Sequence, residues 1–285
     1  MGFFKSFFGL EEKSPEQQQQ EDEARRFDVL KYDGLRAMQA RHADHALKCF
    51  KAALEIHDDL EIHDYLSQLY IHTDDLHEAV EEICLMSKAQ PDNVQIPLRL
   101  AHVAYMMEDY DLLLEACGKA EALDADNEEM LFLYARAYIG KQQPEKAVEY
   151  LDRIIDDKPH FDALLLRGDT LMKMGDTDAA ERDADLLLDA VPGHEDVLLL
   201  KARICREKGL LDEARTVYGQ VIDANPFCIA AFRERAEVRQ ALGDEQGAEE
   251  DRNTLMELSP DEMGEVKSVE EMMKEQSELI NPLGL

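Results

Sequence analysis

Six of the nine histidines lie between positions 42 and 77, and imidazole groups are common ligands of transition metals. Two neighbouring carboxylates, Asp74 and Asp75, could complete a borderline metal site. The histidines nearest to them in the repeat register described below are His42, His45, His72 and His77. Their spacing matches no tight ligand motif, and ordinary exposed turn residues explain them equally well. We therefore predict no metal and no cofactor.

No other pattern indicates catalysis. The chain contains no glycine-rich phosphate loop, no nucleophile elbow and no HExxH motif. Its 63 acidic residues are so numerous that a chance pair of carboxylates carries no weight as an acid–base pair. We therefore predict that the protein is not an enzyme.

Charge and cysteine content restrict the class of protein. With 31 basic and 63 acidic side chains the formal net charge is −32, which repels a phosphate backbone and excludes nucleic acid as a partner. No apolar run approaches the roughly 18 residues that a membrane-spanning helix requires. Five scattered cysteines without a CxxC pair are typical of reduced thiols, so we expect a cytoplasmic protein. They are Cys49, Cys84, Cys117, Cys205 and Cys228.

The elements that would position any site repeat along the chain. Prolines recur at separations of 68, 33, 34 and 34 residues, and each follows an alanine by twelve residues. The prolines are Pro91, Pro159, Pro192, Pro226 and Pro260, and the alanines are Ala79, Ala147, Ala180, Ala214 and Ala248. Two further copies, ADHALKCFKAALEIHD and DLLLEACGKAEALDAD, lack the proline. A period of this length indicates an array of repeats.

This pattern resembles the tetratricopeptide repeat, a 34-residue helix–turn–helix with small central residues and a closing proline. The chain has no tryptophan at the consensus position, and the third repeat departs furthest, with Leu113 at the small position and Ala125 in place of proline. Seven repeats are predicted over residues 27–260. The fourth is the closest match and keeps Leu131, Ala135, Tyr138, Ala147, Leu151 and Pro159.

The resemblance implies an all-α fold, a right-handed superhelical solenoid of stacked antiparallel helix pairs with a long concave surface. Proline would end each second helix, and neighbouring pairs must stack because one pair buries only one face. Residues 261–285 would form a helix that caps the open end. Its apolar positions at helical spacing are Met263, Val266, Val269, Met273 and Ile280.

In related repeats the first helix of each pair lines the concave face, which implies a peptide-binding groove in this chain. Three repeats carry apolar doublets there in phase, one member of which could simply pack between helices: Phe132–Leu133, Leu165–Leu166 and Leu199–Leu200. The predicted groove residues are Tyr65, Arg99, Tyr105, Phe132, Arg136, Leu166, Leu199 and Arg203. The family variant that grips a C-terminal carboxylate with lysine and asparagine does not fit, because no asparagine falls within a first helix.

Residues 1–26 form a separate N-terminal region. If residues 3–10 are helical, Phe3, Phe4, Phe7 and Phe8 share one face, which predicts an amphipathic tag for a membrane surface or a partner. That face could equally dock on a repeat array, its own or that of a second copy. The acidic, glutamine-rich stretch up to residue 26 has the composition of a flexible linker.

These observations favour a non-enzymatic protein–protein interaction scaffold, which binds a peptide or helix of a partner protein on its concave face. This function rests on fold-level analogy and on the lack of a reactive constellation. The alternative is a peripheral membrane-associated adaptor of the same fold, anchored by the phenylalanine-rich segment. The sequence leaves the partner unidentified.

Overall fold

The structure is a computed structural model that describes residues 14–156 and 159–259. These residues contain fourteen α-helices and no β-strand, and the chain divides into two compact units, Met1–Gln143 and Pro144–Leu285. The first unit contains α1 (Pro15–Gln39), α2 (Ala43–Leu54), α3 (Leu60–His72), α4 (Leu76–Ala89), α5 (Gln95–Met106), α6 (Tyr110–Glu121) and α7 (Glu128–Gly140). The second contains α8 (Pro144–Ile155), α9 (Phe161–Met174), α10 (Thr177–Ala190), α11 (Glu195–Glu207), α12 (Leu211–Ala224), α13 (Ile229–Ala241) and α14 (Glu245–Leu258).

Within each unit, every helix packs against the next one along the chain. In addition, α5 contacts α7 and α9 contacts α11, so that first helices of consecutive pairs are direct neighbours. The sequence prediction of an all-α solenoid of stacked helix pairs is confirmed. The first helices of each unit therefore share a surface, and that surface is where the candidate site lies.

The small residues predicted at the centre of each second helix lie in the core. All six are completely buried, and Leu113, which replaces alanine in the third repeat, is completely buried as well. The alanines are Ala46, Ala79, Ala147, Ala180, Ala214 and Ala248. A methyl side chain at this position lets the two helices of a pair approach closely, while larger residues fill the space between pairs.

The turn inside each helix pair has the same backbone conformation seven times in the described residues. One residue per turn has a positive φ, and the second helix begins two residues later. The last three turns use glycine, which adopts this conformation without strain, whereas the first four use side-chain-bearing residues. The positions are Arg41, Asp74, Glu108, Gln142, Gly175, Gly209 and Gly243.

Prolines follow the ends of second helices as the sequence predicts. α4 ends at Ala89 before Pro91, α10 at Ala190 before Pro192, and α12 at Ala224 before Pro226. Proline lacks the backbone N–H that would continue the helical ladder, so it limits each second helix to a fixed length.

The structure differs from the sequence prediction at residues 15–26. The composition of this stretch predicts a flexible linker, but it forms the first half of α1. Ser14 and Gln17 form a reciprocal capping box, and Pro15 occupies the first helical turn. Glutamine and glutamate also have high helix propensity, and Gln19 donates a hydrogen bond to Glu23 one turn later, 3.0 Å away. Local capping therefore outweighs the low hydrophobicity of the segment.

Two predictions fall outside the described residues. They are the amphipathic segment with Phe3, Phe4, Phe7 and Phe8, and the capping helix over residues 261–285. In the part of the chain that the structure describes, no helix combines the length and apolar character needed to cross a membrane.

Candidate functional site

The histidines near the turns of the first two repeats are surface residues. Over residues 14–156 and 159–259, no group of three or more His, Cys, Asp or Glu side chains is arranged to hold a metal ion. His42, His45, His72 and His77 are exposed, as ordinary turn residues would be. His63 is buried instead, where its ring contacts Glu82 and lies 2.7 Å from Asp58 Oδ1.

The first helices α3, α5 and α7 form one continuous surface of the first unit, which we call the first-helix face. At its N-terminal end the ring of Tyr65 stacks on Phe50, with centroids 5.5 Å apart. The Tyr65 hydroxyl donates to Glu61 Oε1 at 2.5 Å, and this bond raises the pKa of the phenol. Arg99 donates to Asp64 and to Ser67 Oγ, the latter at 3.1 Å. Tyr65 and Arg99 are therefore both held by neighbours within the unit.

Three of the predicted residues meet on this face and form what we call the aromatic–arginine cluster: Tyr105, Phe132 and Arg136. The guanidinium carbon of Arg136 lies 4.9 Å from the centroid of the Tyr105 ring and 4.7 Å from that of Phe132. Tyr105 comes from α5 and the other two from α7, so the packing of consecutive first helices assembles the cluster. Such contacts attract a cation to the electron-rich faces of aromatic rings.

A concavity opens beside the cluster on the same face. Its volume is about 240 Å³, and its residues come from all three first helices. Half-exposed Met106 lies at its edge, and His102 pairs across it with Glu129 at 2.5 Å. The lining residues are Ile71, Gln95, Leu98, Arg99, His102, Val103, Met106 and Glu129. Among these residues the sequence prediction gave Arg99 as a groove residue. It missed Met106, which directly follows Tyr105 on α5, and Ile71, which lies six residues after Tyr65 on α3.

In the second unit the predicted residues are more deeply involved in packing. Leu166 is half-buried on α9, whereas Leu199 packs against the core cluster that contains Leu198 and Ala202. Of the remaining doublet members, Leu133 and Leu200 are each 1% exposed, and Leu165 packs against two core clusters. At least one member of each doublet therefore packs in or against the core.

Arg203 is held by an acidic partner. Its guanidinium Nε and Nη2 donate to both carboxylate oxygens of Glu234 at 2.7 to 3.1 Å, and the Tyr218 hydroxyl donates to the same carboxylate at 2.8 Å. Burial alone would raise the pKa of Glu234, but these hydrogen bonds outweigh it and the pKa is lowered. On the adjacent α9, burial raises the pKa of the Asp169 carboxyl. The second unit thus presents apolar surface beside an already neutralised arginine.

The comparisons with known proteins agree with this architecture. Models of the tetratricopeptide repeat family match residues 114–169 and 165–227. DnaJ homolog subfamily C member 3 of Gallus gallus is 22% identical over 182 residues, which are 63% of this chain and 32% of that protein. The chain therefore aligns with about a third of the length of this curated relative.

Two solved structures have a similar fold. A tetratricopeptide repeat protein from Parabacteroides merdae has a TM-score of 0.69 at 15% identity, covering 82% of this chain and 93% of its own. YrrB, described as a TPR protein with an unusual peptide-binding site, has a TM-score of 0.51 at 16% identity. The match covers 65% of this chain and 96% of the YrrB chain. Residues 114–227 therefore match the tetratricopeptide repeat family, and the described helices have the fold of such repeat arrays. Proteins of this class generally bind protein or peptide partners and are typically not enzymes.

Proposed function

We propose that the protein is a non-enzymatic adaptor that binds a peptide or helix of a partner protein on its first-helix face. The observation that carries this proposal is the concavity of about 240 Å³ beside the aromatic–arginine cluster. Small-molecule pockets usually begin at roughly 300 Å³ and enclose their ligand. A shallow concavity below that size, with equal numbers of apolar and polar lining residues, suits a single anchoring side chain of a bound peptide.

The ionisable groups support a binding role over catalysis. Burial raises the pKa of the Cys117 thiol to about 12, so it is not a nucleophile near neutral pH. The strongest hydrogen bonds of Arg167, Arg203 and Glu234 join neighbouring helices. These perturbed groups are explained by packing within the array. All five cysteines are free, which supports a place in the reducing cytoplasm.

The test uses peptides selected on the purified full-length chain from a random display library, with affinity measured by fluorescence anisotropy. Met106→Asp places a charge at the edge of the concavity. Leu166→Asp places a charge on α9, a first helix of the second unit. We expect Met106→Asp to weaken binding tenfold or more, because a desolvated carboxylate replaces an apolar contact. A loss that is confined to Leu166→Asp would place binding on the second unit and would contradict the proposal.

Leu186→Asp is the matched control, because Leu186 is 54% exposed but lies on α10, a second helix. It should bind the peptides like the wild type, and all three variants should keep their helical circular dichroism signal. Selection of no peptide, or equal binding by all three variants, would refute the proposal. Phe3, Phe4, Phe7 and Phe8 replaced together by serine, in a vesicle sedimentation assay, tests the membrane-associated alternative.

A further inference from the structure

Arg136 differs from the arginines of three other first helices. The arginines of α5, α9 and α11 all form ion pairs: Arg99 with Asp64, Arg167 with Asp152 and Asp183, Arg203 with Glu234, and Arg206 with Glu234 and Glu237. Arg136 is the arginine of α7, and no carboxylate among the described residues pairs with it. In a chain with twice as many acidic as basic side chains, this lack of a partner needs a physical explanation.

The ring contacts of Arg136 occupy only part of its binding capacity. An aromatic ring interacts with the flat face of a guanidinium, whereas the five N–H groups point outwards in its plane. The two ring centroids at 4.7 and 4.9 Å fix the position of the group, and the side chain is only half-buried. Arg136 is thus a pre-positioned cation whose hydrogen-bond donors are available to a bound molecule.

Other basic side chains on or beside this face already contact carboxylates. Asp64 pairs with Arg99, and Glu129 pairs with His102. Lys31, on the preceding first helix α1, pairs with Asp59 and Glu61. A partner that lies along the first-helix face therefore meets Arg136 as an arginine that no carboxylate among the described residues pairs with, next to a concavity whose apolar lining includes Ile71 and Met106.

We propose that Arg136 binds a carboxylate of the partner peptide, the side chain of an aspartate or glutamate, while an apolar side chain of the same peptide fills the concavity. This inference rests on the proposed function and specifies the chemistry of its partner. A carboxylate can accept two parallel N–H bonds from a guanidinium, which gives the contact both strength and direction. This contact differs from the family variant in which lysine and asparagine grip a C-terminal carboxylate. Here the protein residue is an arginine, and the recognised carboxylate belongs to a side chain of the peptide.

The experiment uses peptides from the same selection, synthesised with an amidated C-terminus so that each carboxylate is a side chain. We expect the selected peptides to share an acidic residue at a constant distance from an apolar one. Replacing that acidic residue by its amide should weaken binding to the wild type by roughly ten- to hundredfold, since hydrogen bonds to charged groups contribute about 1.5–3 kcal/mol.

Protein variants complete a double-mutant cycle. Arg136→Gln should weaken binding of the acidic peptide by a similar factor, and the amide peptide should bind this variant no worse than it binds the wild type. Arg136→Lys should restore only part of the affinity, because lysine lacks the planar fork. Arg182→Gln, an exposed arginine on α10, removes the same net charge elsewhere and should leave the affinity unchanged.

The outcomes separate the two proposals. If Met106→Asp weakens binding but neither Arg136→Gln nor the amide substitution does, the first-helix face binds peptides and the role of Arg136 is refuted. If affinity depends on the free C-terminus or on phosphate instead of an acidic side chain, the carboxylate assignment is wrong. If no peptide binds at all, both proposals fail. The amide substitution leaves the protein unchanged, so its result does not depend on whether the Arg136 variants fold.

Discussion

The ion pair between Arg167 on α9 and Asp183 on α10 allows a quantitative test of what stabilises a helix pair of the second unit. Arg167 Nε and Nη2 donate to the two oxygens of Asp183 at 2.9 and 2.7 Å. The Asp183 side chain is 4% exposed and that of Arg167 is 20% exposed. Arg235 and Asp251, 68 residues further on, form the same two-bond arrangement at 3.0 and 2.5 Å. The same pair therefore joins α9 to α10 and α13 to α14.

We predict that Asp183→Ala lowers the free energy of unfolding by about 3 kcal/mol. Removing one partner of a buried ion pair costs about 3–5 kcal/mol, because the other charge remains without compensation. The lower end applies here, since Arg167 retains Asp152 at 2.6 Å and some contact with solvent. Replacing both partners, Arg167→Met with Asp183→Leu, removes the uncompensated charge and should change the stability by less than about 1 kcal/mol.

The assay is urea-induced unfolding followed by circular dichroism, with hydrogen exchange of the α9 and α10 amides to localise the effect. Asp178→Ala is the control, because Asp178 on the same helix is 79% exposed in its ion pair with Lys208. An exposed pair contributes less than about 1 kcal/mol. The reasoning is refuted if Asp183→Ala is no more destabilising than Asp178→Ala, or if the double substitution is as destabilising as Asp183→Ala alone.

Two further predictions concern His63 and the turns inside the helix pairs. Burial lowers the pKa of His63, but hydrogen bonds with Glu82 and Asp58 outweigh it and the pKa is raised. Its contribution to stability is therefore present below the unfolded value of about 6.5 and is lost as the pH rises through the folded pKa. Denaturation at a series of pH values should show this loss in the wild type but not in His63→Gln, and identical profiles would contradict it. Glu108 has a φ of +55°, which glycine adopts without strain, so Glu108→Gly should raise the free energy of unfolding by about 0.5–1 kcal/mol. Gly209 has a φ of +74°, which strains a residue with a side chain, so Gly209→Ala should lower the free energy of unfolding by about 1 kcal/mol. Thermal melts measure both changes, and shifts of the same sign would show that the turn conformation is not the cause.

Much of the fold is predictable from the sequence because each repeat carries the same local signals. Ala147 and Ala180 lie in the core as predicted, and Pro192 follows the end of its helix. The regular turn conformation was missed at Glu108 and Gln142, since side-chain-bearing residues give no signal for a positive φ. Only the 34-residue spacing of Gly175, Gly209 and Gly243 could have indicated it.

The candidate site was predictable in its location but not in its chemistry. A repeat register places Tyr105, Phe132 and Arg136 on first helices, which the structure brings together. The register does not show that Arg136 contacts rings while Arg99 and Arg203 contact carboxylates. Those differences depend on which side chain of the next repeat lies opposite each guanidinium.

The sequence by itself therefore determined the period, the helix pairs and the small residues between them, because these depend on interactions within one repeat. The tertiary structure decided which charges are neutralised and which doublet member is buried. Arg203 meets Glu234 across 31 residues, the same separation at which Arg136 meets the Tyr105 ring. Such contacts arise only when consecutive first helices pack side by side, and a small rotation of either helix would change them. That packing leaves Arg136 as an arginine that no carboxylate among the described residues pairs with.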